Sequence, residues 1–160
     1  LKGETNSRKG QWNTHMFARD KKQAIEIHGK LSNDGLIGQQ TIYIRQYLPL
    51  VSYGVSVGGC PISKEFRFFI CDGQILSGGF YWSSQVEDLE KVPSSEEVPE
   101  SFLKEAIGIL SSKARFFVLD VAQTQAGDWV VIEVNDGQQS GLSENKPETL
   151  YSNLKRVLST

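Results

Sequence analysis

Apolar and polar positions alternate most clearly in Phe116–Gly141, FFVLDVAQTQAGDWVVIEVNDGQQSG, where two apolar runs flank a polar break at Gln123–Asp128 containing Gly127. That pattern predicts a β-hairpin. Period-two alternation puts Val130, Ile132 and Val134 on one face of the second strand and Glu133 and Asn135 on the other. Asp120 is the one charge in the first run. A hairpin symmetric about Ala126–Gly127 sets Asp120 opposite Glu133, and opposed residues share a face. A second hairpin is predicted from Glu65–Ile70 (EFRFFI), a Cys71-Asp72-Gly73-Gln74 break, and Ile75–Trp82. Asp-Gly between apolar runs signals a type I′ turn. Phe66, Phe68 and Ile70 then face one way, and Glu65, Arg67 and Phe69 the other.

Three stretches carry helical spacing instead. Asp20 caps a helix running to about Leu31, with Ala24, Ile27 and Leu31 in register. Glu100–Lys113 repeats Phe102, Leu103, Ala106, Ile107 and Leu110 and should pack on the sheet. Pro147 suits a first helical turn, and Leu150, Leu154 and Leu158 follow on one face. Gln11–Arg19 reads as a short strand packed through Trp12 and Phe17. Thr41–Leu50 reads as a strand entering a Pro-containing bend, Val51–Ser63 as a loop, and Ser83–Pro99 as a surface loop or weakly helical connection. Asp136–Asn145 is a glycine-containing loop. The sum is an α+β chain of mostly antiparallel strands.

Composition narrows the function. A chain of 160 residues with 39% hydrophobic and 22% charged residues can bury one sizeable core. A net charge of −2 supplies no basic field for nucleic acid. Cys60 and Cys71 make no disulfide framework, so a reduced, cytoplasmic setting is the default. No apolar run approaches a membrane span, and no signal peptide is expected. His15 and His28 sit in no metal-ligand pattern and beside no plausible nucleophile, which argues against a zinc site or a catalytic triad. The chain opens at Leu1-Lys2-Gly3 without an initiator Met, as expected of a fragment of something longer.

The candidate chemistry lies on the hairpins. Opposed like charges destabilise a sheet, so Asp120 and Glu133 need compensation. A solvated face would suffice for either alone. For Asp120, Glu133 and Asn135 together, a hard cation such as Mg²⁺ fits better, because it takes carboxylate and amide oxygens. Arg67, alternating into an aromatic strand, must pair with Glu65 or Glu133 or meet an anion. Tyr81 and Trp82 either line an acceptor pocket or, as such residues more often do, belong to the core. Residues 1–10 (LKGETNSRKG) could cradle phosphate or form a solvated terminus.

Asp120 followed by Glu133-Val134-Asn135 resembles the magnesium-binding end of the ATP-grasp fold. The EFR strand, the Gly78-Gly79-Phe80-Tyr81-Trp82 segment and E-x-N-Asp136-Gly137-Gln138 are similar to those of the same family in order and spacing. The resemblance extends over nearly all 160 residues. It implies an ATP-grasp fold with two subdomains flanking a nucleotide cleft: residues 1–47 in the smaller ATP-binding subdomain and 48–160 in the larger one, with a preceding domain absent. It implies ATP and Mg²⁺ as cofactors, with the metal on Asp120, Glu133 and Asn135. Lys2 would reach the phosphates, and the backbone around Gln46, Tyr47 and Leu48 would pair with adenine. Arg67 would contact the transferred phosphate, and Ser140 and Gly141 would help bind the acceptor. The implied activity is carboxylate–amine (or thiol) ligation through an acyl-phosphate. Two readings compete. One is a catalytically silent module that keeps the fold as a binding or scaffold domain. The other, suggested only by Lys2-Gly3-Glu4, is a covalent-lysine nucleic-acid ligase.

Overall fold

The computed structural model describes residues 1–85 and 93–159. The chain falls into two compact units, Leu1–Leu48 with Ser52–Ile62, and Pro49–Val51 with Ser63–Thr160.

In the first unit, β1 (Lys2–Gly3) pairs antiparallel with β2 (Ile42–Tyr43). The helix α1 (Lys21–Ser32) starts where expected, the Gln23 amide donating to Asp20 Oδ1 at 2.9 Å. Its Ile27 and Leu31 join Ile37 in a small core. The strand expected over Gln11–Arg19 is absent. A 3₁₀ turn at Lys9–Gln11 leads into a π-type turn at Trp12–Met16, closed by the Phe17 amide on the Trp12 carbonyl at 2.9 Å. The reason is aromatic. A strand would send positions 12 and 17 to opposite faces, whereas the turn stacks the two rings with centroids 6.0 Å apart. The strand expected over Thr41–Leu50 shrinks to β2, because β1 offers only two partner residues and Ile44, Tyr47 and Leu48 stay exposed. The loop expected over Val51–Ser63 contains β3 (Ser52–Val55) and β4 (Pro61–Ser63), paired in a two-stranded sheet. The Ser56 amide on the Cys60 carbonyl at 2.9 Å, with Gly59 at φ +84°, closes its turn.

The second unit is built on a four-stranded antiparallel sheet. Its strands β5 (Glu65–Cys71), β6 (Gln74–Phe80), β7 (Phe116–Gln123) and β8 (Trp129–Asp136) are ordered β6-β5-β7-β8. Asp72 at φ 48° and Gly73 at φ 75° form the expected primed turn. All seven residues of β5 are buried. The β7–β8 register is the expected one at its polar end, with Asp120 opposite Glu133 and Val118 opposite Asn135. Nearer the turn it slips by one, Val121 facing Val131 and Ala122 facing Val130. Ile132 is thus the extra residue of a β-bulge. This corrects the expected Val130–Ile132–Val134 stripe: Val131 shares the face of Val134, and both are exposed on the edge strand.

Two further helices complete the unit. The helix α2 (Glu100–Ser111) buries Leu103 and Ile107. The helix α3 (Pro147–Leu158) covers the Phe69 and Val118 side of the sheet through Leu150, Leu154 and Val157. Leu158, expected on that stripe, is 54% exposed. At 3.6 residues per turn, position 157 lies about 20° from position 150 around the helix, and position 158 about 80°. Of the expected 83–99 connection, Ser83–Gln85 and Ser95–Glu97 form 3₁₀ turns, while 86–92 lie outside the described residues. Among the described residues, no helix is long and apolar enough to cross a membrane.

Candidate functional site

The sheet register gathers the candidate chemistry of the second unit on one face. Arg67 stands opposite Asp120 on one side and Gly79 on the other, and Asp120 stands opposite Glu133. Since opposed residues share a face, Arg67, Asp120, Glu133 and Asn135 project to the same side. Both carboxylate oxygens of Asp120 accept from the Arg67 fork, Nε to Oδ1 at 2.9 Å and Nη2 to Oδ2 at 2.7 Å. The pair is enclosed, with side chains 9% and 1% exposed. Arg67 therefore pairs with neither Glu65 nor Glu133, the partners expected of it if buried. Glu65 instead accepts from Ser63 Oγ at 3.0 Å and Trp82 Nε1 at 3.0 Å.

The rest of the guanidinium is also engaged. Nη1 donates to the Gly141 carbonyl at 2.8 Å, and the plane lies 4.7 Å from the Tyr81 ring centroid. Burial opposes the Arg67 charge. The hydrogen bonds and charge of Asp120 outweigh it, helped by Tyr81 and Glu65, and hold the Arg67 pKa above its ordinary value.

The loop after Asn135 is fastened across this row. Asn145 Nδ2 donates to the Arg67 carbonyl at 3.1 Å and to the Leu142 carbonyl at 2.9 Å. The Glu144 amide donates to the Phe80 carbonyl at 3.3 Å, and the Phe80 amide returns a bond to Glu144 Oε2 at 3.1 Å. Gly79 permits this approach: a Cβ there would lie 2.8 Å from the Glu144 carbonyl carbon. Sequence reasoning singled out Gly141 and Tyr81 but missed Asn145 and Glu144. Standing just before Lys146-Pro147, Asn145 looks like an ordinary helix-entry residue, and only the tertiary fold carries it onto β5.

The metal reading can be tested against these contacts. A carboxylate offers about four lone-pair sites, and Arg67 takes one on each oxygen of Asp120. Glu133 and Asn135 are half-buried, hard oxygen donors on the same face. Among the described residues, no three His, Cys, Asp or Glu side chains gather as a metal cluster. A cation here would thus use the Asn135 amide oxygen and oxygens of its own ligand, a donor set that fits Mg²⁺.

The remaining expected site residues belong to the first unit. Lys2 lies on β1, opposite Tyr43. Gln46, Tyr47 and Leu48 follow β2 outside any strand. Tyr47 meets the Phe17 ring edge-on at 5.0 Å and the Trp12 ring at 6.5 Å.

Comparison with known proteins adds three findings. No curated protein matches the chain. Among solved structures, the macrocyclase MdnB from Microcystis aeruginosa MRC is similar, at 16% identity and a TM-score of 0.39. The match covers 89% of this chain and 43% of that one, so the chain spans less than half the length of that relative. The family model described as "ATP-grasp domain, R2K clade family 3" matches residues 2–154. The α+β chain, with its antiparallel sheet and its Asp120–Glu133–Asn135 face, thus belongs to the ATP-grasp family.

Proposed function

We propose that this chain carries the phosphate and metal end of an ATP- and Mg²⁺-dependent carboxylate–amine (or thiol) ligase that works through an acyl-phosphate. The observation that carries the reading is the register placing Asp120, Glu133 and Asn135 on one face beside Arg67, inside a span matched by the ATP-grasp family. Glu133, Asn135 and the lone pairs that Arg67 leaves on Asp120 would hold Mg²⁺, whose chemistry is to neutralise the nucleotide phosphates and polarise the γ-phosphoryl group. Arg67, held at fixed height by Asp120, Gly141 and Tyr81, presents a preorganised positive charge to a transferring phosphoryl group. Lys2 adds a second cation at the phosphates. The backbone at Gln46, Tyr47 and Leu48 reads adenine. Residues 1–47 then act within the smaller ATP-binding subdomain and 48–160 form the larger one. In the reaction, a substrate carboxylate takes the γ-phosphoryl group and ADP leaves; an amine then displaces phosphate. No side-chain nucleophile is needed. Cys60 and Cys71 are buried thiols outside any disulfide, which suits a reducing cytoplasm.

One observation favours a second reading, a silent binding module: the Arg67 fork already satisfies both oxygens of Asp120. Calorimetric titration of ATP, with and without Mg²⁺, into the chain and into Glu133→Gln separates the two. The ligase reading expects magnesium-dependent binding weakened at least tenfold by the substitution. Binding indifferent to magnesium and to Glu133 would leave the silent module.

A further inference from the structure

Arg67 is bonded at both its ends to one short segment. Its Nη1 donates to the Gly141 carbonyl at 2.8 Å, and its own carbonyl accepts from Asn145 Nδ2 at 3.1 Å. Residues 141–145 thus close a ring on a single residue of β5. They belong to no helix or strand, so no ladder holds their shape. Leu142 packs against the core under α3, but apolar contact is non-directional and does not aim a carbonyl. Two features supply direction. Asn145 is 3% exposed, and its Nδ2 bonds both the Arg67 and the Leu142 carbonyl. Its Oδ1 is buried with no partner among the described residues. An unpaired buried acceptor is destabilising, and an apolar side chain would avoid it. What Asn145 adds is therefore its directed donors. The second feature is the turn from Leu142 to Asn145, closed by the Asn145 amide on the Leu142 carbonyl at 3.0 Å, which holds Ser143 at φ 54°. A left-handed φ is disfavoured for a residue with a Cβ. It persists where the surroundings over-determine it, and such strain clusters at functional sites.

We infer that Asn145 is a positioning residue for Arg67: through the strained turn it aims the Gly141 carbonyl at Nη1. The Asp120 fork alone lets the two side chains swing together about their own bonds. A backbone carbonyl is a third point that does not swing with them. Glu144 holds the same segment from the β6 side, through its two bonds with Phe80. A guanidinium has five N–H donors. Asp120 takes two and Gly141 one, which leaves one on Nη1 and one on Nη2 with a fixed aim. That those two meet a phosphoryl group rests on the ligase reading; the positioning itself does not.

The test follows the Arg67 side chain by ¹⁵N NMR in the full chain without nucleotide, its signals assigned by their loss in Arg67→Lys. Asn145→Ala should speed rotation about the Cζ–Nη1 bond by about tenfold or more, the scale of losing one hydrogen bond to a charged group. The Nε–H, held by Asp120, should change little. Leu103→Ala, at a buried residue outside this segment, should lower Tm and leave Arg67 as it was. Should Asn145→Ala not fold, Glu144→Ala at an exposed position removes the Phe80 amide's tether and should move the same signal in the same direction. An Arg67 signal unchanged in the folded tether variant, or moved as far by Leu103→Ala, would overturn the inference. Calorimetry reads the consequence. The tether variant should weaken Mg²⁺-ATP about tenfold and Mg²⁺-ADP much less, since only ATP carries the transferred phosphoryl group; equal weakening of the two would also overturn it. A wild type that does not distinguish ATP from ADP counts against the ligase reading instead, and the Arg67 signal then decides the positioning.

Discussion

Removing Asp120 should be among the most damaging single changes in the second unit, and the reason is the charge left behind. Arg67 and Asp120 are 9% and 1% exposed at their side chains and share two hydrogen bonds. Breaking one partner of such a pair costs about 3–5 kcal/mol, because the other charge stays buried without its counter-ion. For a chain of this length, about 2–4 °C accompanies each kcal/mol, so Asp120→Ala should lower Tm by roughly 6–20 °C. Arg67→Met is the counterpart, leaving the Asp120 carboxylate buried without its guanidinium, and should cost a similar amount. The double variant Arg67→Met/Asp120→Leu buries no charge and should recover at least 2 kcal/mol relative to the sum of the singles. Urea unfolding followed by tryptophan fluorescence, with Trp82 and Trp129 reporting on this unit, measures all three. Singles that each cost under about 1 kcal/mol, or an additive double variant, would refute the view that the pair is a tightly coupled buried unit.

Other expectations are simpler. Gly79→Ala should expose the Gly141–Asn145 loop to amide hydrogen exchange, since its Cβ would press on Glu144 and Asn145 backbone atoms at 2.8 and 2.9 Å. Leu150→Ala should cost about 2–5 kcal/mol by urea unfolding, while Leu158→Ala on the same helix should stay within about 0.5 kcal/mol. Arg8 holds the Asp34 carboxyl well below the usual carboxylate range, helped by the Leu36 and Ile37 amides. A lowered folded-state pKa stabilises above the unfolded value of about 3.9 and loses that contribution as pH falls further. Asp34→Asn should therefore destabilise the chain at pH 7 and flatten the fall of Tm below pH 4 in a pH series of thermal melts.

How far the sequence spoke for the fold depended on how local each signal was. The Asp72-Gly73 turn, the Asp20 cap and the Asp120–Glu133 opposition follow from short-range rules, and all are present. What failed required knowledge of partners. Residues 41–50 look like a strand, but an element two residues long cannot pair with ten. Residues 11–19 look like a strand until Trp12 and Phe17 stack, which a strand forbids. The Ile132 bulge leaves no mark in an unbroken apolar run, because Val130, Val131 and Ile132 are equally at home on either face of a strand. At the site, the shared face of Asp120, Glu133 and Asn135 was legible. The choice of Asp120 over Glu65 and Glu133 as the partner of Arg67 was not, since it depends on which strand lies beside β5.

That choice changes what the carboxylates ask for. Opposed acids need a compensating cation, and the sequence left open whether a side chain or a metal supplies it. The structure supplies a side chain for Asp120, whose two oxygens accept from the Arg67 fork. Glu133 stands opposite Asp120 and shares its face with Asn135, both half-buried. A magnesium ion held by those oxygens would also offset the repulsion between the carboxylates and nucleotide phosphates. Magnesium and nucleotide should therefore bind together, and ATP that binds equally well without magnesium in the calorimetric titration would refute this.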